Sequence, residues 1–333
     1  MPGPVSRGPA IGERAFHTWL ARHLPAGREG LLPLGDDAAA LRPPRGRVAI
    51  LTTDALVEGT HFLRASPPGR IGGAAAAVNL SDLAAKGAVP AALLLAIIVP
   101  PGTPRAWAAQ VTSAAERVCE HYGARIVGGD TKPGSLRAVV GFAVGWGRSG
   151  RLAPRSGARP GDVLATTGTV GRGGLAAARL GSGLRPSARV LSDLLEVRPR
   201  VAEGIALARW AHAMLDTSDG LAEASRLLAE ASRVRVDVDE ALLPLAPGLE
   251  RAAHSRAERR NLAFFGGDYE LLVALAPADL DRAERSVRQR GGRLTAVGRV
   301  GTGRGAWIVN GDRATAMPSA GWQPFGRDPS AKH

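Results

Sequence analysis

Residues 48–62 read VAILTTDALVEGTHF. The first half is β-branched and aliphatic, the composition of a buried strand. It ends in Thr52, Thr53 and Asp54, with Glu58, Gly59 and His61 just beyond. A carboxylate at the end of a buried strand, beside hydroxyls and a titratable ring, offers hard oxygen ligands. That is half of a metal–phosphate site.

Outward from this strand, the chain alternates apolar runs with small-residue turns. Residues 11–24 carry helical spacing in Phe16, Leu20 and Leu24, while 1–10 read as disordered. Gly35, Asp36 and Asp37 form a turn between apolar flanks. Residues 66–73 read as a loop, and 74–86 as a small-residue helix carrying Asn79, Ser81 and Asp82. A strand over 91–99, a helix over 105–122 and a short strand over 125–127 follow, the last running into Gly128-Gly129-Asp130-Thr131. Residues 136–146 read as another strand, and the Gly-, Pro- and Arg-rich segment 148–161 as a domain boundary.

Beyond the boundary come a strand over 163–167, a glycine loop over 168–174 and a helix through Leu180. A helix over 199–213 leads into Asp216-Thr217-Ser218-Asp219-Gly220, then a helix over 221–231 and a strand over 234–238. Gly266-Gly267-Asp268-Tyr269-Glu270 precedes a strand over 271–275, a helix over 279–290 and closing strands at 297–300 and 307–309. The mixture predicts an α/β or α+β protein of two domains, 11–148 and 149–326, with a tail over 327–333.

Composition narrows the function classes. The 333 residues carry a net charge of +13, but only Lys86, Lys132 and Lys332 are lysines, and no basic run reaches five residues. With 4% aromatics, the stacking platforms of single-strand binders are missing, and no nucleic-acid role is expected. Cys119 is the only cysteine, which excludes a disulfide framework and a zinc–cysteine site and fits a reducing cytoplasm. Its place on a helix reads as inert packing. The N-terminus lacks the apolar core of a signal peptide, and the longest apolar run, 88–99, is too short for a bilayer. No membrane association is expected.

Asp36, Asp37, Asp54, Asp82, Asp130, Asp216 and Asp219 all follow or flank apolar runs. Taken singly, each also reads as a helix cap or turn residue. Together they are five carboxylate clusters that need cations to converge, and oxygen-only ligation points to magnesium. Several Mg²⁺ ions on carboxylates ordinarily accompany a polyphosphate nucleotide. None of the lysines has P-loop context, and the protein-kinase motifs are absent. The 168–174 loop reads either as a phosphate approach or as a tight turn. His61 is either a capping histidine or a substrate contact, and Arg155 either a phosphate clamp or a solvated arginine. Trp322 is a core-edge anchor or a platform for a flat cationic ring.

Seven ordered motifs add a resemblance: GDDAAAL at 35–41, TTDALVEGTHF at 52–62, NLSDLAAKGAVP at 79–90, GGDTKPG at 128–134, RSGARPGD at 155–162, DTSDGLA at 216–222 and GGDYELL at 266–272. In this order they resemble the thiamine-monophosphate kinase family, within the superfamily of aminoimidazole-ribonucleotide synthetase and selenophosphate synthetase. The resemblance runs from about residue 12 to 326. It implies two α/β domains of that superfamily type. The N-terminal sheet would form a homodimer interface, and the C-terminal domain would close the active site. It implies ATP as co-substrate and thiamine monophosphate as acceptor. Asp37, Thr52, Thr53, Asp54, Asp82, Asp130, Asp216 and Asp219 would hold several Mg²⁺ ions. Gly129, Asp130, Arg155 and Ser218 would contact ATP; His61 and Trp322 would contact thiamine phosphate. No general base is assigned.

The chain departs from the family pattern in four places. Gly267 stands where the family carries a substrate-contacting glutamate, unless a one-residue gap is allowed. Ala74 replaces a lysine of many members, Ala224 an aspartate, and Gln323-Pro324-Phe325 the usual Asp-His-Phe. Two alternatives follow: a sister ATP-dependent enzyme acting on another small substrate, or a nucleotide-binding paralogue without thiamine activity.

Overall fold

The computed structural model describes residues 19, 20, 22, 23, 41–181, 191 and 194–318. By its contacts the chain divides into two units. The first comprises Met1–Leu83, Val89–Trp146 and Ser187–Glu196; the second comprises Ala84–Ala88, Gly147–Pro186 and Val197–His333.

In the first unit four strands form one sheet: β1 (Val48–Val57), β2 (Val89–Val99), β3 (Arg125–Pro133) and β4 (Ala138–Gly147), in the order β1-β4-β2-β3. Helix α1 (Pro68–Ala85) precedes β2, and α2 (Arg105–His121) joins β2 to its parallel neighbour β3, as a parallel crossover requires. Helix α1 is buried almost all round, through Ile71, Ala76, Leu80 and Leu83. One sheet face is covered: Leu93, Leu95 and Ile97 of β2 and Val139 and Ala143 of β4 are buried. On the other face Leu94, Ala96 and Ile98 are only half-buried, and Phe142, the partner of Leu94, is exposed.

The second unit holds a seven-stranded sheet. Its strands are β5 (Val163–Thr167), β6 (Ala211–Asp216), β7 (Arg235–Asp239), β8 (Leu271–Leu275), β9 (Leu294–Gly301), β10 (Gly305–Asn310) and β11 (Arg313–Ala316). Their order is β11-β10-β7-β9-β5-β8-β6, antiparallel throughout except for β10 with β7. The helices are α3 (Arg172–Gly181), α4 (Val201–Leu207), α5 (Leu221–Ser232), α6 (Leu249–Ala252), α7 (Arg256–Phe264) and α8 (Leu280–Arg288). Strand β8 shows why this sheet is covered on both faces. Leu272 and Ala274 belong to a core with α5 and α7, whereas Leu271, Val273 and Leu275 belong to another with α8. All five residues are fully buried, so the strand reads as a continuous apolar run.

Four sequence expectations need correction. Strand β1 is not buried: it is an edge strand, and Leu51 is 59% exposed. Asp54 accordingly lies within the strand, not at its end. The segment 128–131 is strand, because pairing with β2 continues to Pro133 despite its glycines. Residues 211–213 are not helical; α4 ends at Leu207, and β6 begins at Ala211. Helix α1 also starts earlier than 74, at Pro68, a residue pre-set for a first helical turn.

Candidate active site

In the first unit, the candidate ligands sit on three elements. The Thr52 hydroxyl on β1 donates to Asp82 Oδ2 on α1 at 2.5 Å, so strand and helix present a hydroxyl and a carboxylate together. Thr53 donates to the Gly141 carbonyl of β4 at 2.8 Å, and Asp54 beside it is exposed. On β3, Asp130 pairs with Ala96 and is exposed; its Oδ1 accepts from the Thr131 N–H at 2.8 Å and pairs with Lys132 at 2.9 Å. Gly129 has a structural reason of its own. A Cβ there would stand 2.0 Å from the Leu95 carbonyl oxygen, so the strand pairing itself demands glycine.

His61 lies in a turn after β1. The Val57 N–H donates to its Nδ1 at 3.1 Å, which fixes Nδ1 as an acceptor and leaves the neutral ring's proton on Nε2. Burial lowers its pKa, so the ring is neutral near pH 7. Arg137 fastens the turn: its N–H donates to Glu58 Oε2 at 3.3 Å, and its guanidinium donates to the Arg64 carbonyl at 3.3 Å. The same guanidinium lies 5.1 Å from the Trp107 ring centroid.

In the second unit, Asp216 ends β6, and Ser218 Oγ donates to its Oδ1 at 3.2 Å. The turn closes with the Gly220 N–H donating to the Thr217 carbonyl at 3.0 Å, leaving Asp219 exposed before α5. Against it packs the 266–270 segment, where the Gly267 N–H donates to the Ser218 carbonyl at 2.7 Å. Arg155 is exposed, in a loop anchored by the Gly157 and Ala158 N–H groups donating to Ser232 Oγ.

The 168–174 loop is resolved in favour of the turn. Asp268, 3% exposed, accepts from the Gly171 N–H at 2.6 Å and the Gly173 N–H at 2.9 Å. A protein carboxylate already takes two amides that a phosphate would need. Burial pushes the Asp268 carboxyl up to about 6, against the pull of those two amides. Gly267 has φ +93°, a conformation glycine adopts freely and a glutamate does not. Glycine therefore suits the backbone here without strain.

Asp37 and Trp322 lie outside the described residues, as does Asp36. Among the described residues, no three His, Cys, Asp or Glu side chains form a group placed to hold a metal ion. The donor chemistry nevertheless fits magnesium, because Thr52, Thr53, Asp54, Asp82 and Asp130 are all hard oxygen donors. What sequence reading missed is the buried network behind the second-unit turn, built on Thr167, Arg200 and Glu270. Only Glu270 lay within a motif; nothing local to Arg200 signals its role.

Residues 35–146 match the family model of the AIR synthase related protein, N-terminal domain, and residues 159–309 match that of the C-terminal domain. A thiamine-monophosphate kinase of Synechococcus elongatus is 36% identical over 279 residues, covering 75% of this chain and 82% of its own. That of Halobacterium salinarum is 37% identical over 288 residues, covering 86% and 93%. The chain belongs to the thiamine-monophosphate kinase family.

Solved structures agree. The thiamine-monophosphate kinase of Stenotrophomonas maltophilia K279a superposes with a TM-score of 0.77 at 32% identity, over 84% of this chain and 91% of its own. AaThiL complexed with AMPPCP and TMP gives 0.69 at 28% identity, over 84% and 90%. The E. coli hydrogenase maturation protein HypE shares the fold at a TM-score of 0.72 and 20% identity, over 92% and 96%. Within the thiamine-monophosphate kinase family, then, the motifs of both units have an enzyme to serve.

Proposed function

We propose that this protein transfers the γ-phosphoryl group of ATP to the phosphate of thiamine monophosphate, giving thiamine diphosphate and ADP. The observation that carries the reading is the paired Thr52 hydroxyl and Asp82 carboxylate beside exposed Asp54, in a chain of this family. AaThiL, which shares the fold at 28% identity, holds AMPPCP and TMP together, which supports both substrates.

Thr52, Thr53, Asp54, Asp82 and Asp130 are the first unit's magnesium ligands in this reading; Asp216 and Asp219 are those of the second. Asp37 completes the set from outside the described residues. Bound Mg²⁺ supplies charge neutralisation on the transferring phosphates. Gly129, Asp130, Arg155 and Ser218 orient ATP, with Arg155 exposed and able to fork onto a phosphate. His61, neutral and protonated on Nε2, donates to an oxygen of thiamine phosphate, and Trp322 stacks on its cationic ring. Gly267 contributes backbone only.

The acceptor phosphate has a second pKa of about 6 and is largely ionised at pH 7, so no side chain must take a proton from it. An acceptor oxygen bonds to the γ-phosphorus as the bond to the β,γ-bridging oxygen breaks, and ADP leaves with that electron pair. Positioning and electrostatics carry the step.

A homodimer fits the uncovered sheet face of the first unit, where Leu51 and Phe142 are 59% and 36% exposed. The single buried cysteine suits a reducing cytoplasm, and no helix among the described residues is long and apolar enough to cross a membrane. The test is chromatographic detection of thiamine diphosphate from thiamine monophosphate, ATP and Mg²⁺. Equimolar thiamine diphosphate and ADP are expected; ATP binding with no thiamine diphosphate would favour a paralogue acting on another acceptor.

A further inference from the structure

Glu270 is 4% exposed, and three donors reach its carboxylate. Arg200 forks onto it, Nε to Oε2 at 2.7 Å and Nη2 to Oε1 at 2.6 Å, and Thr167 Oγ1 donates to Oε2 at 2.7 Å. A buried pair of this kind contributes little net stability compared with apolar residues filling the same volume. Its backbone connections suggest another use. The Glu270 N–H donates to Thr217 Oγ1 at 3.0 Å, and the Thr217 N–H donates to the Glu270 carbonyl at 2.8 Å. Thr167 Oγ1 also accepts from the Leu271 N–H at 2.8 Å, which ties β5 to the same knot. Thr217 stands between Asp216 and Ser218, and the Ser218 carbonyl is held by the Gly267 N–H.

The link between the clamps is strained. Tyr269 has φ +55°, in a region β-carbon-bearing residues avoid. Such a conformation persists where its surroundings over-determine it. Here Asp268 is anchored on one side by the Gly171 and Gly173 amides, and Glu270 on the other by Arg200 and Thr167.

We infer that the Arg200–Glu270 ion pair positions the 216–219 turn, fixing the direction in which Asp216 and Ser218 meet Mg²⁺ and nucleotide. The inference rests on the proposed role of that turn. Arg200 and Glu270 act through Thr217 and touch neither substrate.

The test is calorimetric binding of a non-hydrolysable ATP analogue with Mg²⁺, without thiamine monophosphate, to wild type, Arg200→Met, Arg200→Lys and Glu270→Gln. Ile308→Ala, a cavity at a buried position of β10, which β7 and β9 separate from β5, serves as a control for lost stability. Arg200→Met and Glu270→Gln are expected to bind about 10–100-fold more weakly, the usual cost of losing a group that orients a metal ligand. Arg200→Lys should recover part of that loss, and Ile308→Ala should incur none of it. The KM for thiamine monophosphate should stay near wild type in every variant that turns over. If Arg200→Met does not fold, Thr167→Val, which keeps the ion pair but drops two hydrogen bonds, must show a weaker loss of the same kind. Unchanged nucleotide affinity in the folded variants overturns the positioning role while leaving the kinase reading in place. A wild-type protein that binds no Mg²⁺–nucleotide overturns both.

Discussion

The carboxylates on the first sheet and those packed behind the second-unit turn have opposite surroundings. On the first sheet, Asp54 and Asp130 are exposed, and on α1 the Asp82 carboxylate accepts from the Thr52 hydroxyl. Behind the second-unit turn, Asp268 and Glu270 are 3% and 4% exposed and are consumed by two backbone amides, a guanidinium and a hydroxyl. A carboxylate exposed to solvent keeps lone pairs to offer a cation. One already surrounded by donors shapes the backbone instead. The motif GGDYELL therefore builds a platform, while TTDALVEGTHF keeps Asp54 open to solvent.

This division breaks most clearly under substitution. Asp54→Asn should lower turnover about 10²–10³-fold, the scale of losing one charge-stabilising group. Its folding stability should change by no more than about 0.5 kcal/mol, as at ordinary surface positions, measured by urea titration.

Asp268→Asn should show the reverse emphasis. An amide cannot accept from both Gly171 and Gly173, so a buried N–H is orphaned at a cost of about 1–3 kcal/mol. The wild-type carboxyl, raised from 3.8 to about 6, keeps its proton in the folded chain where the unfolded chain has lost it. Its contribution is full below pH 3.8 and is lost as pH rises through about 6. Urea titrations across that interval should show the slope in wild type and its absence in Asp268→Asn.

Smaller effects sharpen the contrast. Gly267→Ala forces a side chain into positive φ and should cost about 1–2 kcal/mol, with the loss read as a lower melting temperature. Leu51→Arg should leave folding within about 0.5 kcal/mol of wild type, yet shift sedimentation from dimer to monomer if the open face pairs two copies.

Much of this was legible before any coordinates. The βαβ order of the first unit, the buried strand 271–275 and the Asp216 turn follow from apolar runs punctuated by Gly, Ser and Asp. The exposure of β1 was not legible, because an aliphatic strand has the same composition whether a helix or another protein covers it. The helix expected over 199–213 overran because Ala206, Leu207, Ala211 and Ala213 suit either state, and sheet pairing decided. Helix α7 passed unnoticed despite a Ser255 N-cap, whose Oγ accepts from the Glu258 N–H while the Glu258 carboxylate accepts from the His254 N–H. The Arg200–Glu270 pair joins residues 70 apart in sequence, a separation no local pattern reports.

The most direct measurement is ADP release from ATP and Mg²⁺ with and without thiamine monophosphate, for wild type and Asp54→Asn, with melting temperatures on the same samples. Release that depends on thiamine monophosphate in wild type, and vanishes in an Asp54→Asn protein that melts normally, is the predicted result. Release by Asp54→Asn at the wild-type rate, or wild-type release indifferent to thiamine monophosphate, would contradict it.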